Sequence, residues 1–312
     1  MIIRPYSPSD AENTVKLWNA SLKEDQINSE NFYSRIIYDV NFDPELFLLA
    51  EENSNLIGFA YGTKRRVPDE IGGLQPKNTW IPAAGVAPDH RRKGVGTALV
   101  RTLEEKLKSQ CAEIIDLGAY ATNYFFPGVD EDNYKAGVEF FKSLGYGDQG
   151  TCSSMDICLR NYEYPEKYAN RKAKLESDGY VFTPFKPELY LPAADFLRTH
   201  FPHWLPNVRK NVTEGIGEES VRLALAPGGR VVGFAMRAMD GTPGRFGPFG
   251  VAPDQQGTGL GGILFHELVS DMVKRRIFYT WFLWTGGRNL EIYATWGMKI
   301  YRTYRMMRRS VK

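Results

Sequence analysis

Residues Val251 to Gly262 read VAPDQQGTGLGG. Gly257, Gly259 and Gly262 complete the spacing G-x-G-x-x-G, which marks dinucleotide sites when it joins a strand to a helix. The chain contains the stretch twice, however. VAPDHRRKGVG (Val86 to Gly96) aligns without a gap to VAPDQQGTGLG (Val251 to Gly261), 165 residues later. Six of the eleven positions are identical, and Val95 faces Leu260. In the first copy Arg92 and Thr97 stand where a dinucleotide fingerprint needs its first and third glycines. No acidic residue follows about 20 positions on to hold a ribose. A phosphate-binding P-loop fails too, because neither copy ends in Gly-Lys-Ser/Thr. What survives is a shared Gly-x-Gly: Gly94 and Gly96, Gly259 and Gly261.

Further landmarks recur in the same order. Arg4 to Pro8 (RPYSP) resembles Thr183 to Pro187 (TPFKP), and Gly58-Phe59-Ala60 matches Gly233-Phe234-Ala235. Phe141 precedes Gly145-Tyr146 by four residues, as Tyr293 precedes Gly297-Met298. Four ordered landmarks imply a duplicated fold, with shorter loops in the second copy. The expected division is a first domain over residues 1–160, a linker helix over 161–178 and a second domain over 179–312. Within the first copy, Phe47 to Glu51 and Leu56 to Tyr61 read as a hairpin. Val95, Leu99, Leu103 and Leu107 put an apolar stripe on a helix from Val95 to Ser109.

The 312 residues are 43% hydrophobic and 24% charged, with a formal net charge of +2. That balance suits two ordinary globular domains and gives no basic surplus for nucleic acid. The three cysteines have no metal-ligand spacing, so no metal and a reduced, cytoplasmic setting are expected. The N-terminus lacks a signal-peptide pattern, and the apolar run Ile277 to Trp284 is too short to cross a bilayer. No membrane partner is expected, and the chain is expected to be a monomer or homodimer.

In each copy a strand runs into a glycine loop that opens a helix. Backbone N–H groups and the positive end of the helix dipole then face one point, an anion cradle. Arg91, Arg92 and Lys93 add charge in the first copy, where the second has Gln256, Gly257 and Thr258. The pattern Val-x-Pro-x-x-Arg/Gln-x-x-Gly-x-Gly resembles the acyl-CoA-binding motif of the GNAT superfamily of N-acyltransferases. The later aromatic-x-x-x-Gly-aromatic/Met is similar to that superfamily's next motif. Both occur in both halves. Tandem members of this length include mycothiol synthase, but no residue here selects that substrate.

The resemblance implies an α/β (α+β) chain of two tandem GNAT folds. Each would be a mixed, mostly antiparallel sheet with a splayed central strand pair flanked by helices. It implies that Ala84 and Val86, and Phe249 and Val251, offer backbone hydrogen bonds to the pantetheine of acetyl-CoA. Arg91, Arg92, Lys93, Gly94, Val95, Gly96 and Thr97 would cradle the pyrophosphate. So would Gln256, Gly257, Thr258, Gly259, Leu260, Gly261 and Gly262. The reaction implied is transfer of an acetyl group to a primary amine of a small molecule, protein N-terminus or lysine. The alternative is a non-catalytic CoA-binding sensor or interaction module. GNAT enzymes often protonate the leaving thiolate with a tyrosine at the aromatic position before the glycine. The second half has Tyr293 there and the first has Phe141, so the second half is expected to be catalytic. No general base can be assigned; Glu219 and His203 qualify by residue type only. The basic C-terminus, KIYRTYRMMRRSVK, is expected to complete the second sheet.

Overall fold

The computed structural model describes residues 1–120 and 125–312. In chain order the elements begin with β1 (Ile2–Pro5), α1 (Ala11–Ser21), α2 (Ser29–Phe32), β2 (Phe47–Glu52) and β3 (Asn55–Lys64). They continue with β4 (Asn78–Val86), α3 (Val95–Ser109), β5 (Ile114–Leu117), β6 (Val129–Asp130), α4 (Lys135–Ser143) and β7 (Gly147–Cys158). The second copy runs α5 (Glu166–Ser177), β8 (Val181–Pro184), α6 (Tyr190–His200), α7 (Leu205–Thr213), α8 (Gly217–Ser220) and β9 (Val221–Leu225). It ends with β10 (Val231–Arg237), β11 (Phe246–Val251), α9 (Leu260–Lys274), β12 (Tyr279–Thr285), α10 (Arg288–Thr295) and β13 (Lys299–Ser310). The repeat read from the sequence is thus a repeat of structure. Strands β1 to β4 pair in order in the first copy, and β8 to β11 pair in order in the second, all antiparallel.

The chain divides into two compact units, residues Met1–Cys152 with Arg302–Lys312, and residues Ser153–Tyr301. This corrects two expectations. The boundary lies at 152/153, before the linker helix, so α5 belongs to the second unit. Residues 302–312 complete the first sheet instead of the second. There Arg308, Arg309 and Ser310 of β13 pair with Asp116, Ile115 and Ile114 of β5. The physical reason is charge: the arginines of β13 meet acids of the first unit. Arg308 reaches Asp116 at 2.6 Å, Arg309 reaches Glu104 at 2.8 Å and Arg305 reaches Glu131 at 2.6 Å. These three arginines of the basic strand are therefore ion-paired.

In each unit a long helix covers one face of the sheet. Leu99, Val100, Leu103 and Leu107 of α3 are buried against Leu48, Ala60 and Ile115. A buried leucine contributes roughly 1.5–3 kcal/mol, so this stripe outweighs the helix's modest intrinsic propensity. Helix α9 does the same with Leu260, Ile263, Leu264, Leu268 and Met272, all fully buried. The Gly-Phe-Ala landmark is explained by this packing. A Cβ on Gly58 would come 2.8 Å from Leu99, and one on Gly233 would come 2.8 Å from Leu264. Phe59 and Phe234 face the opposite side and are fully buried.

Candidate functional site

The central strands of the first unit part company. Strands β4 and β5 pair in parallel from Asn78↔Ile114 to Ile81↔Leu117, and no further. Opposite the pair Tyr61–Thr63 of β3, β4 bulges at Ile81 and Pro82. A proline has no N–H for a ladder, so it suits this point. Beyond it residues 82–86 keep β3 on one side and face a cleft of about 570 Å³ on the other. That volume lies within the range of small-molecule sites. The Ala87 N–H bonds the Ile57 carbonyl at 2.9 Å, so by strand alternation Ala84 and Val86 turn their N–H and C=O groups into the cleft.

The cleft leads to the glycine loop. Gly94 caps α3 with φ +84°, the left-handed region that favours glycine, and nothing crowds it. Gly96 and Thr97 line the cleft, while Val95 turns inward and is buried. Arg92 also has a left-handed backbone, φ +62°, a costly conformation for an arginine. Arg92 and Lys93 are exposed. Arg91 is not a loose cation: its guanidinium donates to the carbonyls of Val86 (3.1 Å) and Ser21 (3.0 Å). It braces the loop instead of pointing at an anion.

Sequence reasoning missed the charged floor of this cleft. Tyr134, just before α4, donates its hydroxyl to Asp25 Oδ2 at 2.7 Å. Arg302 of β13 grips Asp25 through two N–H groups at 2.5 and 2.8 Å and reaches Asp130 at 2.5 Å. Burial and the Asp25 carboxylate push the Tyr134 phenol well up, so it keeps its proton at neutral pH. These partners are 109, 277 and 172 residues apart, and no local pattern advertises them. Phe141 is buried on the next turns of α4 and has no proton to give.

The second unit repeats the fork but fills it. Arg245, just before β11, makes an isolated parallel bridge to Trp281, and β11 bulges at Gly247 and Pro248. The Ala252 N–H bonds the Val232 carbonyl at 2.8 Å, which turns the backbone of Phe249 and Val251 away from β10. The Tyr293 ring packs on Phe282 (4.6 Å), Trp296 (5.2 Å), Phe246 (6.1 Å) and Phe249 (6.3 Å). Burial pushes its phenol up. Gly261 lies under the Phe249 and Trp296 rings. At the loop, Arg171 of α5 bonds the Thr258 carbonyl at 2.6 Å and lies 3.2 Å from the Cβ position of Gly259. Leu260 is fully buried in the core, and Gln256 is exposed. Glu219 is engaged by Arg275 at 2.7 Å, and His203 is exposed.

The two glycines that mimicked a dinucleotide fingerprint now have separate causes. Gly257 has φ +79° at the position where Arg92 is left-handed. Gly262 admits the Tyr168 ring of α5, which a Cβ would approach to 2.2 Å.

The model of the acetyltransferase (GNAT) family matches residues 12–146. An acetyltransferase of Yersinia pestis (strain Pestoides F) is 31% identical over 165 residues, 53% of this chain and 100% of that protein. A fungal multi-domain GH3 β-N-acetylglucosaminidase with a glucosamine N-acetyltransferase region superposes with TM-score 0.82 at 21% identity. That match covers 99% of this chain, which spans only 38% of the fungal one. A tandem GNAT protein from the clavulanic acid biosynthesis pathway gives TM-score 0.66 at 13% identity, covering 99% of this chain and 98% of that one. The 31% identity over the whole length of the Yersinia relative shows the family: the chain is a GNAT acetyltransferase. Within the family its architecture is the tandem one, two such folds in one polypeptide.

Proposed function

We propose that the chain transfers an acetyl group from acetyl-CoA to a primary amine, and that the first unit alone holds the acyl donor. The observation that carries this is the contrast between the forks: open beside residues 82–86, and filled by Phe249, Tyr293 and Trp296 in the second unit. This reverses the sequence-based choice of the second half. In this reading Ala84 and Val86 bond the pantetheine, and the Gly94–Gly96 turn with the α3 N-terminus receives the pyrophosphate. Arg92 and Lys93 supply the cations. The neutral amine attacks the thioester carbonyl, the C–S bond breaks, the nitrogen releases one proton to solvent, which restores the general acid, and the CoA thiolate takes a proton. Tyr134 supplies it, with Asp25 and Arg302 fixing the phenol.

Calorimetry with acetyl-CoA tests the stoichiometry, and thiol release across a panel of amines tests the chemistry. One site per chain is expected. Tyr134→Phe should lower kcat about a hundredfold, the lower range for a lost general acid, with acetyl-CoA affinity kept. Tyr293→Phe should leave both unchanged. Two sites, or a turnover loss confined to Tyr293→Phe, would return the chemistry to the second unit. Acetyl-CoA binding without turnover of any amine would favour a sensor.

A further inference from the structure

In the first unit α1 runs into a loop, residues 22–28, that carries Asp25, the partner of the Tyr134 hydroxyl. Two neighbouring side chains of α1 fasten this loop. The Trp18 Nε1–H donates to the Asp25 carbonyl at 2.8 Å. The Asn19 amide takes both backbone groups of Ile27: its Nδ2 donates to the carbonyl at 2.9 Å, and its Oδ1 accepts the N–H at 2.8 Å. An amide has a donor and an acceptor on one plane, so a paired bond of this kind fixes orientation as well as distance. The point of attachment is rigid. Trp18 is fully buried, stacked on Phe59 at 5.1 Å and tilted on Phe125 at 5.5 Å. The foot of the loop is held too. Arg91 of the glycine turn bonds the Ser21 carbonyl, and α1 rests on the donor strand, where a Cβ on Gly85 would come 2.7 Å from the Ser21 Cβ.

The duplicated fold supplies an internal comparison. The Leu22 N–H bonds the Trp18 carbonyl at 2.7 Å, and the Phe201 N–H bonds the Leu197 carbonyl at 2.7 Å. Leu197 and Arg198 of α6 therefore stand where Trp18 and Asn19 stand in α1. Leu197 is buried and has no side-chain donor, while Arg198 is exposed and pairs with Asp195 at 2.7 Å. The chain then turns directly into Pro202–Trp204, and the Phe201 ring lies over Gly250. The unit with the open fork has the two fastenings, and the unit with the filled fork has neither.

We propose that Trp18 and Asn19 are positioning residues for proton transfer in the first unit, holding residues 22–28 so that Asp25 keeps the Tyr134 phenol at the floor of the cleft. Neither side chain touches the reacting atoms; both act through Asp25. Arg302 fixes the Asp25 carboxylate from β13, and the two α1 side chains fix the backbone that carries it. A proton donor must stand within hydrogen-bond reach of its target, and a misplacement of about 1 Å costs up to about a hundredfold in rate. The inference rests on the acid role of Tyr134.

The test compares Asn19→Leu and Trp18→Phe in the full chain, each alone and combined with Tyr134→Phe. Turnover is read as thiol release with 2-aminoethanol, glucosamine, lysine and trialanine, scored on the amine that wild type uses fastest. Calorimetry gives acetyl-CoA affinity, and circular dichroism gives the fold. Asn19→Leu should lower kcat about tenfold to hundredfold with acetyl-CoA affinity unchanged. Trp18→Phe keeps a ring on Phe59 but loses the Nε1–H, and should lower kcat in the same direction. In the Tyr134→Phe background neither should lower kcat further, because residues acting as one unit are not additive. Wild-type kcat in Asn19→Leu overturns the proposal, and so does an equal loss with and without Tyr134, which marks a general structural effect. Loss of the fold in Asn19→Leu, on a half-buried residue, overturns it as well. Those results leave the acid role of Tyr134 standing. Wild-type kcat in Tyr134→Phe sinks the acid role and this proposal together, and no turnover by wild type sinks the acetyltransferase reading with both.

Discussion

His266 lies on α9 and is 1% exposed, boxed by the rings of Tyr162, Tyr164, Tyr168 and Phe265. The Tyr162 hydroxyl pairs with its Nδ1 at 3.0 Å. Burial first, and the Lys167 charge second, hold its pKa down to about 4 from 6.5. The folded chain therefore keeps this ring neutral where the unfolded chain protonates it. Between pH 6.5 and pH 4 the unfolded state binds the extra proton, so stability falls on acidification and the loss levels off below pH 4. The full window amounts to about 3 kcal/mol at 1.36 kcal/mol per unit. Thermal melts from pH 7 to pH 4 should show the slope, and His266→Phe should flatten that part of it. An unchanged slope in the variant would assign the pH dependence to other groups. The same ring box explains a residue the sequence made misleading. Gly262 looked like a ligand glycine, yet its missing side chain serves Tyr168.

Helix α5 is the element that distinguishes the second unit's loop from the first. Tyr168 packs over Gly262, Arg171 bonds the Thr258 carbonyl, and Lys172 reaches Glu267 of α9 at 2.9 Å. Gly262→Ala should cost about 1–3 kcal/mol, the range for overpacking a filled site, read as a lower denaturation midpoint at unchanged slope. Acetyl-CoA affinity should not move. A neutral Gly262→Ala would mean that α5 shifts without penalty. Element boundaries were legible where apolar period and capping agreed: α3 occupies Val95–Ser109 as its four-residue leucine spacing implied. The role of α5 was not legible. NYEYPEKYANRKAKLESD is polar and helix-friendly wherever it docks, and only its contacts show which loop it covers.

At the scale of the molecule, duplication was the most legible property, because in-register repeats survive loop shortening. What the sequence concealed is the crossing of the chain between its two halves. An alternating strand such as KIYRTYRMMRRSVK reads the same in either sheet. Its proper partners are acids more than a hundred residues away, Asp25, Asp116, Asp130 and Glu131. Residue-type logic also favoured Tyr293 over Phe141, because the aromatic filling around Tyr293 is a tertiary fact. Removing residues 302–312 should leave β5 paired with β4 alone, leave Asp25 and Asp130 without Arg302, and abolish acetyl-CoA binding although residues 1–152 remain. Calorimetry and circular dichroism on the shortened chain check this; retained affinity would make β13 dispensable. The same strand sets an order of events during translation. Residues 1–152 leave the ribosome first, but the strand that closes their sheet follows about 150 residues later. At 5–20 residues per second the nascent first unit waits roughly 8–30 s with an open β5 edge. Over that interval the exposed edge is the part of the chain in most need of chaperone cover.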